Sequence, residues 1–575
     1  MQIFSYAPFG ASGIVIRVEV DIRRGIPGVD ITGLAEGAVR EARERVRAAF
    51  RNSGYQFPQD RVLINLAPAG MKKEGAALDL PIALAVMSAA GLIPHDEALM
   101  VLGELELSGR VRPVRGVLAA LAAGIGEGIR DFIVPRENAG EAQILAREHD
   151  SVRVAAATTL REALHALVVR SETGTLPLTA FPPEDSAGQG HAGQGHAGQG
   201  HAGQGHAGQG HAGQGQGEGE SGGDPGSVWG DFSEIRGQDQ YKRALEIAAA
   251  GGHNLLVFGP PGAGKTMLAR RLPGIMAGLT SEEAVEITRL YSLAGYFDGK
   301  SRGNEDFSLI TQPPFRSPHH SASAEGILGG GRSVRPGEIS LAHLGVLFLD
   351  EAPEFRSTVL QALREPLEDQ VITISRAEAS IRLPAAFQLI MAANPCPCGR
   401  LGMGGPGLSA QGPGEALCLC SAEEVNRYWR RFGSALLDRI ELRVPVVPPR
   451  LAEMRGSPGE GNAAIARRVG RAVEIQQRRQ GRLPGRPRRN ARLPAGLIES
   501  CCPLSCRGEQ ALKTAISKLA LSGRAYHGIL RLARTIADLE GRDTIDTVQV
   551  LEAVEHRRRG EDPYDILAEG IPAEG

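Results

Sequence analysis

No stretch of this 575-residue sequence stays apolar for the ~18 residues that a membrane-spanning helix requires. The opening, Met1-Gln-Ile-Phe-Ser-Tyr-Ala-Pro-Phe-Gly10, has no basic segment leading into an apolar one, so a secretory leader is not expected. Together these absences predict a soluble, cytoplasmic protein without a membrane partner. A surplus of charge is missing too: 64 Lys+Arg face 66 Asp+Glu, so any surface for nucleic acid must be local. Cysteine is scarce and odd in number, seven, which argues against a disulfide framework and leaves metal ligation or free thiols for those that cluster. At this length one core is too few, and two to four domains are expected.

From Ala187 to about Gly215 the pentapeptide Ala-Gly-Gln-Gly-His recurs, with His191, His196, His201, His206 and His211 five apart. Chain so poor in apolar side chains cannot bury enough surface to offset the entropy of ordering, and it reads as a flexible tether. It separates an N-terminal block from one starting near Gly226. In the first block Gly13–Ile22 and Val62–Leu66 are strand-like, while Glu36–Asn52 and Asp79–Ala90 carry helical periodicity, giving an α/β pattern. In the second, Tyr241–Ala250 reads as a helix. Three near-continuous apolar runs, Asn254–Phe258, Gly345–Leu349 and Phe387–Ala393, suit strands of a parallel sheet buried on both faces.

The residues at the carboxyl end of each run carry the chemistry. The first leads into Gly259-Pro260-Pro261-Gly262-Ala263-Gly264-Lys265-Thr266 and a helix-compatible Met267–Leu272, the strand, loop and helix of a phosphate-binding loop. Its glycines let backbone N–H groups turn onto phosphate oxygens, Lys265 meets the β/γ-phosphates, and the Thr266 hydroxyl ligates Mg²⁺. After the second run come Asp350 and Glu351, at the strand end where open α/β sheets place ligands. Asp350 suits the Mg²⁺ shell and Glu351 suits a water to be polarised. The third ends at Asn394, whose amide suits that water or the γ-phosphate. ATP and Mg²⁺ are the expected cofactors.

Leu349-Asp-Glu351, Ala392-Ala-Asn394 and Leu436-Leu-Asp-Arg439, in this order, resemble the Walker B, sensor 1 and arginine-finger motifs of AAA+ ATPases. More narrowly, Phe315-Arg-Ser-Pro-His-His320, Gly329-Gly-Gly331, Pro336-Gly-Glu-Ile-Ser-Leu-Ala-His343 and Asn394-Pro-Cys-Pro-Cys-Gly399 are similar to the magnesium-chelatase-like YifB/ComM family, over nearly the whole chain except the tether. The resemblance implies a homo-oligomeric, normally hexameric ring with ATP at subunit junctions. Arg439 would reach the neighbour's γ-phosphate, and Arg524 matches the sensor 2 arginine of a small lid. It also implies a role on single-stranded or branched DNA, as a branch-migration helicase in recombination and natural transformation. The 85 positions separating Lys265 from Asp350 (350 minus 265) need an insertion, which in that family projects toward the pore. There Phe315, Arg316, His319 and His320 either contact threaded substrate or serve packing and structural hydrogen bonds.

Asn65-Leu-Ala-Pro68, Lys72-Lys-Glu-Gly75 and Asp79-Leu-Pro81 resemble a Lon-protease-like domain. Proteolysis by that fold needs a serine activated by a lysine, and Gly75–Pro81 has none, so Lys72 and Lys73 have no nucleophile to activate and an assembly or DNA-engaging platform is expected. Cys396, Cys398, Cys418 and Cys420 form two C-x-C pairs able to close a tetrahedral Zn²⁺ site, or else remain thiols; Cys501, Cys502 and Cys506 read as small buried residues. Arginine is dense from Arg467 to Arg492, as a phosphate-contacting surface or a solvated helix.

The expected organisation is a non-proteolytic Lon-like α/β domain (1–170), a linker (171–226), an AAA+ core on a parallel sheet (227–450) and a helical lid (451–575). The expected activity is ATP hydrolysis coupled to movement of DNA. Two rivals remain: a chelatase-type motor remodelling a protein partner for metal insertion, and a nucleotide-switched scaffold with little turnover, against which the intact Lys265, Asp350, Glu351 and Arg439 set speaks.

Overall fold

A computed structural model describes residues 3–10, 13–33, 37–69, 73, 77–93, 98–177, 229–297, 308–331, 335–375, 380–401, 418–449, 451–481, 489–519 and 522–558. The histidine repeat, and the expected linker from 178 onward, lie outside them. In the N-terminal block strands β1 (Ile3–Ala7), β2 (Ile14–Arg23), β3 (Gly28–Thr32), β4 (Arg61–Ala67), β5 (Leu99–Val101), β8 (Asp131–Pro135) and β9 (Arg153–Ala157) form one sheet, and β6 (Glu104–Leu105) with β7 (Val111–Arg112) a small ribbon. The sheet order is β3-β4-β2-β1-β5-β8-β9. It changes character midway: β1, β2 and β4 pair antiparallel, whereas β1, β5, β8 and β9 run parallel. Alternation along β4 matches a sheet covered on one face, and β8, buried throughout, is covered on both.

The second block is built on a five-stranded, wholly parallel sheet: β10 (Leu255–Phe258), β11 (Phe315–Arg316), β14 (Val346–Leu349), β17 (Gln388–Ala393) and β18 (Leu442–Pro445). Every residue of β10, β14 and β17 is buried, which is why these segments read as unbroken apolar runs. Small hairpins β12/β13 (Gly329–Gly330, Arg335–Pro336) and β15/β16 (Val371–Ser375, Ser380–Pro384) decorate the crossovers. In space the order is β11-β14-β17-β10-β18, so the first strand in sequence lies between the last two. The crossover leaving β10 runs to the far edge and works back, then passes over to β18. That reversal opens a crevice at the carboxyl end of β10.

The insertion before β14 holds the helix Ser281–Ala294, which Thr280 and Glu283 cap reciprocally. This helix meets the N-terminal block: Leu293 packs with Tyr6 beside Gly116, and Ser292 donates to Glu141, a buried carboxylate that also accepts from Leu118 N. The C-terminal helices Asn462–Gln480, Gly523–Leu539 and Thr547–Arg558 pack at the amino ends of β10 and β18, where Arg557 donates to Ile440 O (2.7 Å) and Arg243 pairs with Glu552 (3.0 Å). Among the described residues no helix is long and apolar enough to cross a membrane.

Candidate nucleotide site

Phe258 ends β10 and Gly259 opens the loop in a tight place: a Cβ there would lie 2.0 Å from Val446 O, on the backbone just past β18. Gly262 and Gly264 have φ of 78° and 86°, conformations that side-chain-bearing residues adopt only under strain. The next helix spans Lys265–Ala269, shorter than the Met267–Leu272 stretch implied. Pro273 has no N–H to give to Ala269 O, and the chain tightens into a 3₁₀ turn over Leu272–Ile275. Replacing Gly259 by alanine is expected to cost ~1–3 kcal/mol by overpacking against a backbone oxygen that cannot move aside. Thermal denaturation should register it as a lower midpoint, with nucleotide affinity falling in parallel.

Lys265 is buried, and its ammonium donates to Gly259 O (2.6 Å), Pro260 O (2.9 Å) and Asn394 Oδ1 (3.1 Å). Burial lowers its pKa to about 8, partly offset by the Asp350 and Glu351 carboxylates. A cation held only on neutral oxygens is one that an incoming phosphate would claim. Thr266 Oγ1 donates to Asp350 Oδ2 (2.7 Å), so the two groups predicted to hold Mg²⁺ are already neighbours, and their oxygens are the hard donors this cation prefers. The residues therefore fit a magnesium nucleotide. Asp350 Oδ1 accepts from Glu351 N (3.0 Å), and Glu351 itself has φ 49°, ψ 44°, left-handed for a residue with a side chain. That conformation costs ~1–3 kcal/mol and turns the half-exposed carboxylate away from the strand.

Residues not foreseen as site members hold this arrangement together. His320 Nδ1 lies 3.5 Å from Glu351 Oε2, stacked on His319 with ring centroids 4.1 Å apart. Gln238, itself at φ 61°, donates to Ala263 O (3.3 Å) and Val447 O (2.8 Å), and the Tyr241 hydroxyl donates to Lys265 O (3.0 Å). Nothing in sequence spacing ties positions 238, 241 or 320 to the loop; only the crossovers bring them there. Phe315, by contrast, stacks on Phe348 at 5.7 Å, and Arg316 is paired bidentate with Glu338 at 2.6 and 2.7 Å.

Arg439 and Arg524 stand apart from the loop of their own chain. Both pair with Glu368, Arg439 at 2.7 Å, in a cleft of about 660 Å³ that Gly252, Asn254 and Arg531 also line. Gly252 and Asn254 precede β10, so this cleft is at the amino end of the strand whose carboxyl end carries the loop. Arg439 Nε is buried with no hydrogen-bond partner among the described residues.

The described arginines of the 467–492 run are largely engaged within the chain: Arg468 with Glu246 (2.6 Å) and Glu460, Arg479 with Asp538, and Arg492 with Phe387 O (2.9 Å). Arg482, Arg486 and Arg488 lie outside the described residues. Lys73 is fully buried and donates to Gly33 O (2.8 Å) and Pro68 O; Lys72 is not among the described residues.

The four clustered cysteines converge. Sγ of Cys396 is 3.3 Å from that of Cys398 and 3.6 Å from that of Cys418, Cys398 and Cys418 are 3.6 Å apart, and all four sulfurs, Cys420 included, lie within 4.8 Å of one another. Burial raises the Cys398 thiol pKa, yet the Arg400 N–H and the neighbouring thiols outweigh it and bring it down to about 7. Cys501 and Cys502 are buried as expected, whereas Cys506 is exposed.

A parallel sheet with its first strand between its last two, a glycine loop with a buried lysine, and acidic residues on the neighbouring strand end define a P-loop ATPase of the AAA+ type. Family models of the magnesium chelatase subunit ChlI match residues 231–454, of ChlI residues 18–138, and of the ChlI C-terminal region residues 459–557. The chain is 39% identical to the YifB protein of Salmonella typhimurium, over 96% of each, and 37% identical to competence protein ComM of Haemophilus influenzae, over 96% of this chain and 97% of ComM. It belongs to the YifB/ComM family of magnesium-chelatase-like proteins. Its N-terminal region is in addition similar to Lon proteases, as in the archaeal Lon protease of Methanothermobacter thermautotrophicus: 32% identity over 139 residues, 24% of this chain and 22% of that protein.

Proposed function

We propose that this chain is a cytoplasmic, ring-forming ATPase that moves DNA, as a branch-migration helicase in recombination and natural transformation. The observation that carries the motor reading is the split of one site across the sheet. Lys265, Thr266, Asp350, Glu351 and Asn394 gather at one end, while Arg439 and Arg524 pair with Glu368 at the other; in this reading the two arginines serve a neighbouring subunit. Bound Mg·ATP supplies the phosphoryl electrophile and a cation that offsets its charge. Lys265 would exchange its carbonyl partners for phosphate oxygens, and Thr266 and Asp350 would hold the cation. Asn394 orients the attacking water, Glu351 takes its proton, and Arg439 of the next subunit neutralises charge that develops in the transition state.

The N-terminal domain (1–170) is a non-proteolytic platform in this reading, since Lys73 is occupied by carbonyl groups. Helix Leu160–Thr173 and the buried Leu176 carry that unit past the expected boundary at 170, while 227–450 is the motor and 451–575 the lid. The four cysteine thiolates hold structural Zn²⁺. Support for DNA as substrate comes from the relationship to a competence protein and from the exposed Arg467 and Arg471. Matches to a chelatase subunit favour a second reading, a motor that remodels a protein partner for metal insertion. Turnover separates the two: single-stranded or branched DNA should raise the ATPase rate, and a Glu351→Gln trap should retain DNA in the presence of ATP. If neither DNA form stimulates hydrolysis or binds the trap, the DNA reading is wrong.

A further inference from the structure

Four sulfurs around one Zn²⁺ with bonds of ~2.3 Å sit ~3.8 Å apart in a tetrahedron. The observed 3.3–3.6 Å separations fall just inside that value, and none is a disulfide. The cluster is joined to the nucleotide site by short chain segments. Asn394 is followed by Pro395 and then Cys396, which is fully buried. Gly399 N donates to Cys396 O (2.9 Å), closing a turn in which Gly399 adopts φ 74° against the phosphate loop: a Cβ on it would lie 2.9 Å from Pro261 Cγ and Cδ. On the other side Cys418 and Cys420 lead into Ser421, the cap of helix Ala422–Trp429. Trp429 donates to Pro395 O (3.0 Å) and packs edge-on against Phe258, the residue before Gly259.

We infer that a zinc ion on Cys396, Cys398, Cys418 and Cys420 acts as a clasp that positions Asn394 for ATP hydrolysis, the cysteines being positioning residues for the nucleotide site. The clasp ties the end of β17 to the start of helix Ala422–Trp429. Without it, the Cys396–Gly399 turn keeps its own hydrogen bond and the Trp429 bond to Pro395 O, and loses the tie of Cys396 and Cys398 to Cys418 and Cys420. This inference rests on the proposed ATPase activity.

The test uses the full chain purified without chelator and with zinc supplied. Elemental analysis should give one zinc per chain, and Cys418→Ser/Cys420→Ser should lose it. That double variant should lower kcat for ATP ~10-fold or more, the scale on which outer-shell support of a site acts, with a smaller change in KM. Added to Asn394→Ala, the same two substitutions should cause no further loss, because groups acting through one residue are not additive. If the double variant fails to fold, stripping zinc from folded wild-type protein with a chelator and restoring it should lower and recover kcat. Wild-type protein free of zinc would overturn the clasp; zinc present with losses that multiply on those of Asn394→Ala would overturn its action through Asn394. A wild-type chain that hydrolyses no ATP would sink the ATPase reading itself, before any cysteine is changed.

Discussion

Glutamine in place of Glu351 is expected to leave ATP bound and lower its hydrolysis by ~10²–10⁴-fold, the range over which a general base acts. Glu351 acts on Lys265 only through its charge, and the glycines and lysine of the loop are all present without it. Its carboxylate is half exposed, held by a left-handed backbone and faced by His320 at 3.5 Å. The amide keeps the shape and cannot accept the proton of the attacking water. Binding of a fluorescent nucleotide should therefore be unchanged while single-turnover hydrolysis collapses. Retention of more than a tenth of the wild-type rate would remove Glu351 from the reaction. Lys265→Ala is the contrasting control, because it takes away the only buried cation among the described residues at the loop and should abolish binding.

Alanine at Arg439 is expected to be as damaging, ~10³–10⁵-fold in kcat if the guanidinium neutralises transition-state charge across a subunit junction. Within one chain the residue cannot reach the loop, since it lies at the opposite end of β10 on Glu368. Mixing supplies the decisive measurement. Chains with Arg439→Ala keep an intact loop, and chains with Lys265→Ala keep an intact arginine, so co-assembled junctions of the two should regain hydrolysis that neither has alone. A mixture as inactive as its components, with both variants still assembling, would rule out service in trans. Arg439→Lys should remain slow, because an ammonium does not reproduce the planar fork.

The two large effects lean unequally on sequence. Lys265, Thr266, Asp350 and Asn394 were legible because each belongs to the segment that directly succeeds an apolar run, and a run buried on both faces of a parallel sheet forces its carboxyl end into the crevice. The Cys pairs were legible as a set of four possible ligands, but C-x-C spacing says nothing of whether two pairs about 20 residues apart meet. Helix periodicity located Gly37–Asn52 and Asp239–Gly251 to within a few residues. It overran in the short helix after the loop, where Pro273 ends the ladder.

Sequence by itself thus determined the chemistry available: which strands are buried, which loop can wrap phosphate, and which carboxylates and amide stand ready at strand ends. These features obey local rules, in which side-chain type and spacing decide burial and backbone conformation. Tertiary structure alone decided the company each residue keeps. It brought His320 to Glu351, Gln238 and Tyr241 to the loop, four sulfurs to one point and Gly399 onto Pro261, and it carried Arg439 and Arg524 to the far end of the sheet. The physical reason is strand order: with β10 inserted between β17 and β18, contacts are set by long crossovers, and no local pattern encodes them.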